Sequence, residues 1–218
     1  MFRFDAENHA YYVDEVRVPS VTGILQASGL VDFSRIPPSI REDALERGRA
    51  VHAAIHYHNE QDLDVEQFCG DFPLYAPYLR AWLSFCEQRH FVAVLNEHRV
   101  ASRRYQVAGT LDCLGLLDGV PVLLDFKTGA PKDVAANLQT AAYLALSHEW
   151  AKEDDQLAAF FKLHPHVKRH AVRLKKDGNF TVESYTEPTD FRQFRTLVEA
   201  QQIVASYKGS WIDLADVA

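Results

Sequence analysis

The chain has 218 residues, 47% hydrophobic and 24% charged, which is ordinary globular composition and enough length to bury a sizeable core. With 23 Lys+Arg against 30 Asp+Glu the net charge is −7, so a histone-like or polybasic strategy is excluded. Three cysteines, Cys69, Cys86 and Cys113, form no Cys-x-x-Cys pair. That argues against a disulfide framework, a structural zinc site and a four-cysteine iron–sulfur cluster. No apolar run approaches the roughly 18 residues of a membrane span. Met1 to Tyr12 is mixed and charged from Arg3, without a signal-peptide pattern. The expectation is a soluble intracellular protein.

In chain order, strand-like runs at Phe2–Phe4 and Tyr11–Val18 end at Pro19. A short helix is predicted from Ser20, and Pro37-Pro38 closes that section. Ser39-Ile40-Arg41-Glu42 reads as a capping box opening a long helix to about His58. A second helix is predicted from Pro77 to Arg89, with Tyr78, Trp82 and Phe85 at helical spacing. Strands follow at Phe91–Arg99, Tyr105–Leu117 and Val120–Thr128, then a helix over Val134–Trp150. A further hairpin is predicted from Ala158–Leu163 and His170–Tyr185, turning at Asp177-Gly178, before a last helix over Asp190–Tyr207. The pattern is an α/β or α+β fold around a central mixed sheet, read as one domain over 1–218. Residues 1–38 form its N-terminal part, 39–150 the core and 151–218 the C-terminal hairpin and helix. Charge is uneven: residues 97–176 hold 12 basic and 9 acidic groups, whereas residues 1–96 hold 8 and 14.

The most informative stretch runs from Gly109-Thr110-Leu111-Asp112 to Asp125-Phe126-Lys127. Between them, Asp118-Gly119 is a strong two-residue hairpin signal, since both positions need positive φ. If Leu117 pairs with Val120, then Asp112 falls opposite Asp125, in a non-hydrogen-bonded position where the strands are closest. Lys127 leaves the same face as Asp125, and Phe126 the other. Like charges directly opposite are destabilising unless a cation or a lysine offsets them. A solvated pair on an open sheet face would be the simpler explanation. The flanks, Cys113-Leu114-Gly115-Leu116-Leu117 and Val122-Leu123-Leu124, are nearly all apolar, however, and a buried hairpin favours a metal site.

Gly-Thr-Leu-Asp, then Asp-Phe-Lys thirteen residues later, then a helix with Gln139-Thr140-Ala141-Ala142-Tyr143, resembles the PD-(D/E)XK nuclease superfamily. The closer resemblance is to its RecB-like branch of phage and bacterial recombination exonucleases. Gly48-Arg49-Ala50-Val51-His52 fits that branch's upstream Gly-x-x-x-His helix, so four motifs stand in order over residues 48–143. The resemblance implies a restriction-endonuclease-like core with an antiparallel catalytic hairpin. It also implies that His52, Asp112, Asp125 and the Phe126 backbone carbonyl bind one Mg²⁺ or Mn²⁺, and that the carboxylates could share a second ion. Lys127 would orient or deprotonate water, or offset charge in the transition state. Glu97 matches an auxiliary acid, though a surface charge before Arg99 explains it as well. Gln139 and Tyr143, four apart, share a helix face; the resemblance places that face beside the site, though a polar helix stripe explains it as well. His52 would face inwards with Leu45, Gly48, Val51 and Ile55, Gly48 allowing close approach. His56 and His58 are read as surface or supporting groups.

Candidate nucleic-acid contacts are Arg99, Arg103 and Arg104, and Lys168, Arg169 and Arg173 in a run from Lys162 to Lys176 without an acid. Either cluster also fits a solvated strand edge. Ser20 and Thr22 could face a terminal phosphate, or simply cap a helix. The resemblance thus implies a metal-dependent DNA exonuclease of recombination, repair or phage replication, in a bacterial or phage-infected cytoplasm. No Gly-x-x-x-x-Gly-Lys-Ser/Thr motif is present, so a helicase, annealing or recombination partner would be a separate chain. A homo-oligomer is left open. Alternatives are a RecB-like endonuclease, a nuclease of the iron–sulfur kind (against which the cysteines count), a catalytically silent nucleic-acid-binding module, and a carboxylate metalloprotein unrelated to nucleic acids.

Overall fold

A computed structural model describes residues 1–30, 37–129 and 135–207. The start of the helix expected from Val134 lies outside them. Strands β1 (Phe2–Asp5), β2 (Ala10–Val13) and β3 (Val16–Val18) form a small antiparallel sheet, β1-β2-β3. The run expected as one strand, Tyr11–Val18, is therefore two. Asp14 and Glu15 take φ of 49° and 65° and fold it back as a tight turn. Without a glycine there, the sequence gives no strong turn signal. Helix α1 (Val21–Ala27) is capped by Ser20, whose Oγ accepts from Gly23 N at 2.9 Å.

Helix α2 (Pro38–Asn59) starts one residue before the expected capping box, which does not form. Pro37 is the cap residue and Pro38 stands at the first helical position, where its fixed φ suits the helix and no N–H is needed. Only the second half of α2 packs inwards. Val51, Ala54 and Ile55 are buried, whereas Leu45, expected on the inner face, is 51% exposed. A short helix α3 (Val65–Asp71), capped by Asp64, was not anticipated because it buries no side chain and so shows no apolar period. Helix α4 (Ala76–Gln88) follows as expected, and Trp82 Nε1 donates to His58 Nδ1 at 3.2 Å across to α2.

The main sheet is β4 (Val92–Ser102), β5 (Val107–Leu117), β6 (Val120–Lys127), β7 (Lys168–Leu174) and β8 (Phe180–Tyr185), in the order β4-β5-β6-β7-β8. All neighbours are antiparallel except β6 and β7, which run parallel. A parallel pair needs a long crossover, here made by α5 (Ala136–Trp150) and α6 (Asp155–Leu163). This corrects the expected strand at Ala158–Leu163. Asp154 accepts from the N–H groups of Gln156 and Leu157 and starts a helix whose Leu157 and Phe160, three apart, are buried. Helix α7 (Asp190–Tyr207) closes the fold. Among the described residues no helix is long and apolar enough to cross a membrane.

Two apolar clusters sandwich the sheet. β6 alternates cleanly between them: Val122, Leu124 and Phe126 pack with α2 and α4, and Leu123 packs with α1, α5, α6 and α7. Helix α5 is buried over most of its circumference, and its hydroxyls are satisfied internally: Thr140 Oγ1 bonds Ala136 O and Ser147 Oγ bonds Tyr143 O. Arg169 ties three elements together. Its guanidinium donates to Asn137 O, Glu187 O and Asp190 Oδ2, while Asn137 Nδ2 donates to Asp190 Oδ1.

Two stability predictions follow from these contacts. Arg169→Met leaves the Asp190 carboxylate buried without its cation and is expected to cost about 3–5 kcal/mol. A Cβ on Gly115 would stand 2.4 Å from Val92 O and 2.7 Å from Phe91 Cζ, beside the irregularity in β4 between Ala93 and Leu95. Because backbone blocks it, Gly115→Ala is expected to cost about 3 kcal/mol. Denaturant midpoints at unchanged slope would measure both.

Candidate active site

The Asp118-Gly119 turn has positive φ at both positions, 51° and 77°, and sets the register. The β5–β6 ladder runs from Leu117↔Val120 to Cys113↔Leu124 and ends there, with Asp112 and Asp125 the next residue on each strand. On the other side, Asn96↔Cys113 and His98↔Leu111 bracket Glu97 across from Asp112. One row of carboxylates therefore crosses β4, β5 and β6: Glu97, Asp112, Asp125.

The strands are not regular at this level. Glu97 has φ of 45° in mid-strand, a left-handed conformation that costs on the order of 1–3 kcal/mol for a residue with a side chain. On β5, Cys113 packs with the α2–α4 cluster and Leu111, two residues on, with the α5 cluster. Period-2 alternation would keep them on one face, so β5 exchanges faces at Asp112. Beyond Cys113 the ladder gives way to a side-chain contact, in which Phe126 N donates to Asp112 Oδ2 at 2.6 Å.

His52 comes from α2. Its Nε2 lies 3.0 Å from Phe126 O, and since a carbonyl can only accept, Nε2 carries the proton. Nδ1 then faces Glu97 Oε1 at 3.8 Å and Asp112 Oδ1 at 3.7 Å. Phe126, buried edge-on against Trp82 and His52, holds this stretch of β6 in place. Burial alone would lower the His52 pKa, but the charges of Asp112, Glu97 and Asp125 prevail and raise it to about 9. For Asp112, burial raises the pKa; His52 and the Phe126 N–H oppose it, Asp125 and Glu97 add to it, and the carboxyl reaches about 7. Asp125, 1% exposed, turns to Lys127, whose Nζ lies 2.9 Å from Asp125 Oδ2 and donates to Gln139 Oε1 at 2.9 Å.

The donor set fits a divalent cation. His52, Glu97 and Asp112 each offer one ligand atom, all within 4.8 Å of one another. The imidazole is oriented by donating its far N–H to a backbone carbonyl, the usual support of a metal-bound histidine. Two carboxylates with one imidazole make a mixed oxygen and nitrogen donor set of the kind that divalent cations take.

The sequence matches the model of the PD-(D/E)XK nuclease superfamily over residues 29–215. The chain belongs to that superfamily. Among solved structures, this PD-(D/E)XK chain is similar to the crystal structure named “Putative exonuclease” from Eubacterium rectale. The TM-score is 0.44 at 11% identity, covering 85% of this chain and 72% of that one. It is also similar to the protein SSO0001, with a TM-score of 0.35 at 14% identity, covering 71% and 73%. No curated protein matches it.

Of the residues singled out from the sequence of this PD-(D/E)XK chain, the structure brings together His52, Glu97, Asp112, Asp125, Phe126, Lys127 and Gln139. Tyr143, on α5, is buried over Gly109, and burial followed by the charges of Asp112 and Asp125 pushes its phenol well above its ordinary pKa. The basic candidates divide. Arg99 is exposed, with its guanidinium 4.5 Å above the Phe4 ring; Arg104 lies beside Tyr105; Lys168 is exposed. Arg103 is held by Asp14 and Glu153. Arg169 and Arg173 are buried and engaged internally, Arg173 with Glu183 at 2.9 Å. As inner-face residues of a covered strand they form no surface track. Ser20 Oγ is engaged in the α1 cap, and Thr22 Oγ1 stands 3.2 Å from it. Gly48 has room to spare, since an added Cβ would be 3.9 Å from Thr128 Oγ1, so close approach does not demand glycine there.

Sequence reasoning missed the reason for Gly109. A Cβ there would lie 2.7 Å from Tyr143 Cε1. Gly109→Ala is therefore expected to displace the Tyr143 ring and cost about 1–3 kcal/mol. Thermal unfolding, together with near-ultraviolet circular dichroism of the tyrosine, would show it.

Proposed function

We propose that this chain is a Mg²⁺- or Mn²⁺-dependent deoxyribonuclease acting as an exonuclease, in recombination, repair or phage DNA metabolism. The observation that carries the reading is the carboxylate row Glu97–Asp112–Asp125, faced by His52 and with Lys127 fixed on Asp125. A row of like charges is unfavourable in itself, and a cation at this level relieves it. His52, Glu97 and Asp112 would hold the ion, with Asp125 the next carboxylate of the row, while the Phe126 carbonyl accepts from His52 Nε2 on the far side of that ring and orients it. When bound, the ion supplies Lewis acidity to the scissile phosphate and acidifies water.

The remaining chemistry belongs to the chain. Lys127 is immobilised between the Asp125 carboxylate and the Gln139 amide. A fixed ammonium there can orient water and offset negative charge gathering on the phosphate oxygens in the transition state, without reorganisation at the moment of reaction. Gln139, on α5, sets its position. Tyr143, one turn further along α5, fills the space over Gly109. Arg99 stands across from Thr110, two residues from Asp112, and could bind a neighbouring phosphate. The exonuclease assignment rests on the order of the four motifs and their resemblance to RecB-like enzymes.

End-labelled linear DNA and a closed circle of the same sequence would be incubated with Mg²⁺, with Mn²⁺ and with EDTA, wild type beside Asp125→Ala. Metal-dependent loss of the linear form alone, absent in the variant, is the expected outcome. Cutting of the circle would make it an endonuclease, and no cutting of either would leave a nucleic-acid-binding module. Lys127→Ala should lose on the order of 10²-fold or more in rate yet keep its fold and its Mn²⁺ affinity. Asp112→Ala should lose both rate and affinity. Normal cutting by the two variants would refute the site.

A further inference from the structure

Glu97 is the only member of the carboxylate row with a left-handed backbone among the described residues, and its two neighbours are tied down in opposite directions. Asn96 points to the α2 side: its Oδ1 accepts from Asn59 Nδ2 at 2.8 Å and from Cys113 Sγ at 3.3 Å, and its Nδ2 donates to Glu60 Oε1 at 2.7 Å. His98 points to the α6 side, with Nε2 2.8 Å from Asp154 Oδ2. That pair is largely shielded, at 14% and 19% side-chain exposure, and the other Asp154 oxygen caps α6.

In a regular strand, residues two apart share a face. Asn96 and His98 reach opposite layers although the ladder register is the same on both sides of Glu97. The reversal is taken up at Glu97 itself, through its φ of 45°. Left to itself, that backbone would relax to an extended conformation and carry the carboxylate away from its present direction. The two clamps prevent this, since relaxation would pull either Asn96 from the end of α2 or His98 from the cap of α6. Neither clamp is among the ligand atoms gathered with His52 and Asp112.

We infer that Asn96 and the His98–Asp154 pair are positioning residues, which hold the Glu97 backbone in its left-handed conformation and so aim its carboxylate at His52 and Asp112. The inference rests on the reading that this group takes a divalent cation. The clamps fix the direction of one ligand from outside the ligand set, in the way that supporting contacts around metal sites usually do.

The test is a double-mutant cycle read by Mn²⁺ binding to the full chain without DNA, using calorimetric titration, so that no activity is required. Asn96→Ala and His98→Ala would each be made with Glu97 and with Glu97→Gln. With Glu97 present, each clamp variant is expected to weaken Mn²⁺ binding by about tenfold. With Glu97→Gln already in place, the further loss should be under about twofold, because a ligand that no longer binds need not be aimed. His98→Gln, which can still donate to Asp154, should recover most of the affinity. Asp154→Asn keeps an acceptor for the α6 cap and carries the test if His98→Ala does not fold, as judged by circular dichroism. Equal losses in both Glu97 backgrounds would mean general loosening and overturn the inference, as would unchanged affinity in folded clamp variants. A wild-type chain that binds neither Mn²⁺ nor Mg²⁺ would instead overturn the reading of the site, and the inference with it.

Discussion

Three carboxylates on three adjacent strands, at one level of a buried sheet, repel one another in surroundings that screen charge poorly. Much of the molecule near them is arranged to make that row tolerable. Lys127 offsets Asp125 directly, and Gln139 holds the ammonium where it does so. The Phe126 N–H satisfies one Asp112 oxygen. His52 supplies a titratable nitrogen to Glu97 and Asp112. What these groups leave uncompensated is what a divalent cation would neutralise, so the repulsion built into the fold and the chemistry proposed for it have the same origin.

The geometry of the row depends on a departure from regular sheet. β6 keeps strict alternation, which buries Phe126 against Trp82 and leaves Asp125 and Lys127 together on the α5 side. β4 and β5 do not. Glu97 is left-handed, and β5 changes faces at Asp112, so these carboxylates can be approached from the α2 layer while Asp125 is approached from α5. The site is thus served from both layers of the sandwich. His52 comes from one side, and Lys127 with Gln139 from the other. A flat, regular sheet would have put all three acids on one face and out of reach of one of those layers.

Several strongly polar groups outside the row are equally buried but structural. Arg169 with Asp190, and Arg173 with Glu183, join β7 to α7 and β8. Their basic character in the sequence looks like a surface for phosphates, and the fold uses it internally. Arg99, by contrast, stays exposed over Phe4, on the strand that carries Glu97. Which arginines face a substrate is set by strand orientation and burial, because a basic residue reads the same in sequence on either face of a strand.

The sequence by itself determined the hairpin register, because Asp118-Gly119 has one favoured turn geometry and the side-chain period then brings Asp112 opposite Asp125 without further information. It also determined the helical segments with strong apolar periods, α4 and α7, and the motifs that tie the chain to its superfamily. It could not show that Asp14-Glu15 turns without a glycine, that α3 exists without a buried face, or that Asp154 starts a helix where the apolar residues resemble a strand. Only the tertiary structure decided that Glu97 joins His52 and Asp112, since its direction depends on clamps from Glu60 and Asp154, far away in sequence. Likewise Gly109 is explained only by a ring on α5. Local rules act between residues within a turn or a ladder rung, whereas these constraints arise when layers distant in sequence are packed against the same few ångströms of strand.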